Sequence, residues 1–175
     1  MGAGGGAPLV EIIFVRHGPA ADRDPSRWPE DQRRPLTPEG VRSTRRAAKG
    51  LATLRPAIDT VVTSPAARAY ATAEIFREAL KVEAELESWE ELEPDGEAGP
   101  ILERLQRLSR RRGVLLVGHE PTLGELLGLS VTGDSVPIAR FSKAGAAQVT
   151  FPQEPRPGAA GIDWVLTRKQ LERLV

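Results

Sequence analysis

Short apolar runs and longer amphipathic stretches alternate along the chain. Val10, Ile12, Ile13, Phe14 and Val15 are apolar on both faces, the pattern of a strand buried on both sides in a parallel sheet. Residues 58–63 and 114–117 carry the same signature. Between the first two runs, Thr37-Pro38-Glu39 predicts a helix start: a capping Thr, a Pro at the first helical position and an acid in the first turn. Val41, Thr44, Ala48 and Leu51 then share one helical face, and Pro56 closes the unit. Ser64-Pro65 predicts a second helix start, with Ala69, Ala73, Phe76 and Leu80 as its core stripe. Residues 82–89 alternate loosely and predict a third strand near a sheet edge. Residues 100–112 predict a helix with Ile101, Leu105 and Leu108 inside, and Pro121 opens a short helix carrying Leu123, Leu126 and Leu127. The remainder predicts short strands at 138–141, 146–151 and 163–166, a Pro/Gly loop at 152–161 and a terminal helix from Thr167. Strand–helix alternation of this kind gives an α/β layered fold with an antiparallel edge at the end.

The length of 175 residues fits one domain able to bury its own core. We expect a flexible lead-in over residues 1–8 and a single domain over 9–175. Lys plus Arg and Asp plus Glu both number 24, so the net charge is zero and a general nucleic-acid or membrane-surface binder is disfavoured. With no cysteine, disulfides, thiol catalysis and thiolate metal sites are excluded. Neither a signal peptide nor an apolar run of membrane-spanning length is seen, so a cytoplasmic protein, and a monomer, is expected.

The chain has two histidines, and both follow a buried apolar run. His17 stands in Arg16-His17-Gly18 after the first, and His119 in Gly118-His119-Glu120-Pro121 after the third. In open α/β sheets, ligands bind at the carboxyl ends of the strands. Arg68, in the first turn after 58–63, is delivered to the same edge beside a helix N-terminus. Two guanidiniums offer bidentate donors suited to phosphoryl oxygens, and two imidazoles offer a nucleophile and a further donor. Neither a Walker lysine motif nor an aspartate cluster for magnesium is present. The Pro- and Arg-rich stretch 18–36 predicts an irregular surface segment, with Arg33 and Arg34 as candidate rim residues for an anion.

Four segments in order resemble the histidine phosphatase superfamily, also called phosphoglycerate mutase-like. They are Arg16-His17-Gly18, then Arg34-Pro35-Leu36-Thr37-Pro38-Glu39-Gly40, then Thr63-Ser64-Pro65-Ala66-Ala67-Arg68-Ala69, then Val117-Gly118-His119-Glu120-Pro121. The compact length and the ending, with Phe141-Ser142-Lys143-Ala144-Gly145 and Asp163-Trp164, are most similar to the SixA-type phosphohistidine phosphatases. The resemblance implies a three-layer α/β/α sandwich around a mostly parallel mixed sheet, without a large lid insertion. It implies His17 as the nucleophile, with Arg16, Arg68 and His119 holding the phosphoryl oxygens, Gly18 and Arg34 as further substrate-binding residues, and neither metal nor cofactor.

Two departures bear on the substrate. The chain is too short for the lid that supplies a proton donor in larger members, and Pro19 stands where SixA-type relatives often have an acid. Glu93, Asp95 and Glu120 remain as candidate donors. An imidazole, with a pKa of about 6.5, leaves with far less acid help than an alcohol. The expected substrate is therefore phosphohistidine on a protein. The alternatives are a small phosphate ester turned over by the same chemistry and, from another class, a non-catalytic phosphate- or phosphoprotein-binding module.

Overall fold

In the computed structural model, residues 9–108 and 112–175 are described; the lead-in expected over residues 1–8 lies outside them. One six-stranded sheet organises the chain: β1 (Val10–Arg16), β2 (Thr60–Thr63), β3 (Glu87–Ser88), β4 (Gly113–Gly118), β5 (Ala146–Phe151) and β6 (Gly161–Leu166). The spatial order is β3-β2-β4-β1-β5-β6. The neighbours from β3 through β1 pair in parallel, while β5 is antiparallel to both β1 and β6. The helices are α1 (Pro38–Thr53), α2 (Ala67–Leu80), α3 (Ala98–Gln106), α4 (Thr122–Thr132) and α5 (Arg168–Glu172).

The central strands are apolar on both sides because helices cover both faces. Ile12, Phe14, Val114 and Leu116 point into a core shared with Ile101 and Leu105 of α3 and Leu123, Leu126 and Leu127 of α4. Ile13, Val15, Leu115 and Val117 point the other way, onto Ala48 and Leu51 of α1, Ala73 and Phe76 of α2 and Leu171 of α5. This is the expected three-layer α/β/α sandwich. The cap of α1 is also as read: the Thr37 hydroxyl accepts from the Gly40 N–H at 2.9 Å.

Several boundaries differ from expectation. The strand expected over 82–89 shrinks to Glu87–Ser88 at the sheet edge, because α2 closes on Lys81 in the left-handed conformation and the chain needs the following residues to return. The strand expected over 138–141 is absent: Ile138 is exposed, while the backbone of Phe141 is committed to the side chains of Arg16 and Glu120 rather than to a ladder. α3 starts at Ala98, two residues earlier than read, and the expected continuation to 112 falls partly on residues 109–111, outside the described set. Ser64 and Pro65 precede α2 rather than cap it, since the Ser64 hydroxyl accepts from the Ala66 N–H before the helix begins. No helix among the described residues is long and apolar enough to cross a membrane.

Candidate active site

β1 and β4 are neighbours, but the helices that follow them pack on opposite faces of the sheet: α1 on one, α4 on the other. Their outgoing chains diverge, which opens a crevice at the carboxyl ends. Backbone bonds hold its floor: His17 N–H donates to Gly118 O at 3.0 Å, and Ser64 N–H to Val117 O at 3.0 Å. His17 and His119 leave adjacent strands, so their rings meet with centroids 5.1 Å apart. Arg68 enters from the first turn of α2 and Arg34 from the loop before α1. All five of Arg16, His17, Arg34, Arg68 and His119 line one cavity of about 250 Å³.

The hydrogen bonds fix the rings. His17 Nδ1 lies 2.7 Å from the Gly18 carbonyl oxygen, which can only accept, so Nδ1 carries the proton. In the neutral ring, Nε2 then holds the free lone pair. His119 Nε2 lies 2.9 Å from Ser64 Oγ. That buried hydroxyl accepts from the Ala66 N–H and has no other acceptor for its own proton among the described residues, so it donates to Nε2 and the His119 ring proton sits on Nδ1.

Each guanidinium is held at its tip. Arg16 Nη1 donates to Phe141 O at 2.8 Å. Arg68 Nη1 donates to Asp31 O at 2.9 Å, and Nη2 pairs with Asp31 Oδ2 at 3.0 Å. The Nε atoms of both arginines are buried without a hydrogen-bond partner among the described residues. Leaving such donors unmet costs free energy unless an acceptor reaches them. Arg34 donates to Asp31 Oδ1 at 2.9 Å and to Ala21 O at 2.7 Å, so its charge is partly spent on the loop.

Gly18 gives close approach rather than torsional freedom. Its N–H donates to Thr72 Oγ1 at 2.9 Å, whose hydroxyl donates to Arg68 O at 2.7 Å. A Cβ at this position would meet Thr44 Oγ1 at 2.2 Å. Gly18 thus couples the end of β1 to the turn of α2 that carries Arg68.

Burial and charge keep both imidazoles neutral. His17 is pushed down to about 4, first by burial and then by Arg68, Arg16 and Lys143, against the contact with Gly18 O. His119 is pushed down to about 3 by burial, then by His17 and Arg68. Burial also pulls both arginines below their ordinary value, opposed at Arg16 by Glu120 and at Arg68 by Asp31.

The candidate donors separate in space. Glu120 borders the phosphate-sized cavity, but its Oε1 accepts from Phe141 N–H at 2.6 Å and its Oε2 from Gly124 N–H at 3.0 Å. Both oxygens are engaged as acceptors. Glu120 thereby fixes residue 141, whose carbonyl in turn holds Arg16. Glu93 and Asp95 border an adjoining cleft, and of their loop only Pro94 reaches the cavity. Arg33 is exposed and paired with Glu30 at 2.9 Å, away from the cavity that Arg34 lines.

Sequence reasoning missed Asp31, Thr72, the carboxylate of Asp22 in the cavity wall, and the use of Ser64 and Lys143. Thr72 was findable, since it stands four residues after Arg68 on the same helical face. The Phe141 carbonyl was not, because a backbone acceptor leaves no mark in a sequence.

Residues 12–94 match the model of the histidine phosphatase superfamily (branch 1). An uncharacterised protein of Picosynechococcus sp. is 36% identical over 155 residues, 87% of this chain and 88% of that protein. The phosphohistidine phosphatase SixA of Escherichia coli is 29% identical over 160 residues, covering 90% of this chain and 94% of SixA. Among solved structures, the protein histidine phosphatase SixA complexed with tungstate superposes with a TM-score of 0.80 at 29% identity, covering 92% of this chain and 99% of that one. A phosphoserine phosphatase of Entamoeba histolytica, with phosphoserine bound, shares the fold at a TM-score of 0.63 and 14% identity, over 93% and 99% of the two chains. By motif, by sequence and by fold alike, the chain belongs to the histidine phosphatase superfamily, and it is a phosphatase.

Proposed function

We propose that the chain removes phosphate from protein phosphohistidine through a phosphohistidine intermediate on its own His17, without a metal. The observation that carries this reading is the contact between His17 Nδ1 and the Gly18 carbonyl, which leaves the Nε2 lone pair for attack. A buried, neutral imidazole flanked by two arginines suits a nucleophile that must approach an anion. Nε2 bonds to phosphorus as the P–N bond of the substrate breaks, and the bonding pair stays on the departing nitrogen. That ring carries a proton on its other nitrogen, so it leaves as a neutral imidazole. Water then attacks phosphorus, the bond to Nε2 breaks, phosphate departs and one water proton passes to solvent.

Arg16, Arg68 and His119 serve as donors to the phosphoryl oxygens, whose charge builds in the transition state. Each guanidinium carries five N–H donors, and those not turned to Phe141 or Asp31, together with the Nδ1–H of His119, are left for this work. Gly18 and Arg34 shape and charge the same cavity. The engagement of both Glu120 oxygens leaves it poorly suited to protonate an alcohol, and Asp22 is the other carboxylate that lines the cavity. The likeness to SixA supports the same substrate class.

The test is phosphate release, with EDTA present, from a phosphohistidine peptide and from a serine-phosphate peptide. Release from the first alone, abolished in His17→Ala, is expected. Comparable turnover of the serine ester would move the assignment to a broad phosphomonoesterase. Phosphate bound but never released from either peptide would leave a binding module.

A further inference from the structure

The phosphate cavity shares wall residues with two larger clefts. Arg16 and Glu120 are shared with a cleft of about 700 Å³ on one side. Arg23 and Pro94 are shared with a cleft of about 590 Å³ on the other. Both flanking clefts exceed the cavity of about 250 Å³ between them. A small phosphate ester occupies the middle and leaves both clefts to water, whereas a polypeptide segment crossing the middle fills all three.

The two clefts differ in chemistry. The larger is walled by Pro121 and the segment 137–141, with Ile138 43% exposed beside it. The other has Trp28, Pro25 and Pro29 in its walls and carboxylates around them. Asp24 is engaged by Ser26, Glu30 by Arg33, and Asp31 by Arg34 and Arg68. Glu93 and Asp95 form no ion pair among the described residues. A strongly cationic pocket therefore abuts a cleft in which Glu93 and Asp95 stand outside any ion pair among the described residues and Arg23 is the cation shared with the pocket. That arrangement repels a small polyanion and favours a phosphoryl group carried on a cationic scaffold.

We infer that the flanking clefts seat the polypeptide on either side of the phosphohistidine. A basic side chain lies against Glu93 and Asp95, and an apolar side chain packs on Ile138 across Arg16. This inference rests on the phosphohistidine reading above and adds the sequence context that the site selects.

The test compares phosphohistidine peptides with lysine or glutamate beside the phosphohistidine, and with leucine or serine on its other side. Lysine and leucine are tried in both chain directions. Inorganic phosphoramidate serves as the substrate that reports chemistry alone. Wild type is expected to favour the lysine peptide roughly tenfold in kcat/KM, the scale of two partly exposed ion pairs, and less at high salt. Glu93→Gln with Asp95→Asn removes that preference while phosphoramidate turnover holds, and Ile138→Ser removes the preference for leucine. Phosphoramidate turnover with no preference among the peptides would overturn this inference and leave the phosphatase chemistry standing. Failure on phosphoramidate as well would overturn the phosphohistidine reading, and this inference with it.

Discussion

Lowering the pH should destabilise this protein through its two histidines, and the effect can be sized. His17 holds its proton only below about 4 and His119 only below about 3, because both rings are buried among arginines. In the unfolded chain both take up a proton near pH 6.5. Between these limits the unfolded state binds more protons than the folded one, so stability is fully present above about 6.5 and falls as pH falls. Each pKa unit is worth about 1.4 kcal/mol. From neutral pH to about pH 5, each ring therefore costs about 2 kcal/mol, and the pair about 4 kcal/mol. Few carboxylates titrate in that window, so it reports the histidines. The loss is a large part of a usual stability of about 5–15 kcal/mol. Urea unfolding across this range checks it, with His17→Asn and His119→Gln each removing about half of the slope. NMR of the imidazoles is the direct companion, since the chain has two. A stability change below about 1 kcal/mol, or either ring titrating near 6.5, would refute the argument that burial and the arginines hold the pair neutral.

The same shift predicts that kcat/KM shows no acid limb from His17 until about pH 4; a limb near 6.5 shared with the imidazole NMR titration would contradict it. Gly18→Ala drives a Cβ to 2.2 Å from Thr44 Oγ1, and should cost about 1–3 kcal/mol in thermal unfolding; adding Thr44→Ala should recover most of it. Asp31→Asn removes the charged partner of Arg68 and is expected to lower kcat/KM by about tenfold with the fold retained by circular dichroism; unchanged kinetics would show that Arg68 is positioned without it. Glu120→Gln replaces one of two accepting oxygens with a donor, leaving a backbone N–H at Phe141 or Gly124 unmet. A stability loss of about 1–3 kcal/mol is expected, together with weaker phosphate binding as Arg16 loses its anchor.

The sequence alone determined the layered fold, because its signals there are local and redundant. Runs apolar on both faces predict doubly covered strands, and the capped start at Thr37 and the stripes of α1 and α2 predict their helices. It also determined that Arg16, His17, Arg68 and His119 gather at one sheet edge, since residues that follow parallel strands share an edge. What only the tertiary structure decided depends on groups distant in sequence. The ring proton of His17 is assigned by a neighbouring carbonyl, and the tip of Arg16 is held by the backbone of Phe141, itself held by Glu120. No side-chain pattern encodes a backbone acceptor. Asp31 was hidden in a segment without periodicity; Arg34 pairs with it locally, but its second partner, Arg68, reaches it only when α2 packs beside it. The short strand β3 and the missing strand at 138–141 failed for a related reason. Strand signals are propensities of a segment, whereas a ladder exists only where a neighbour's backbone is free to pair, and at Phe141 both backbone groups are taken by the site.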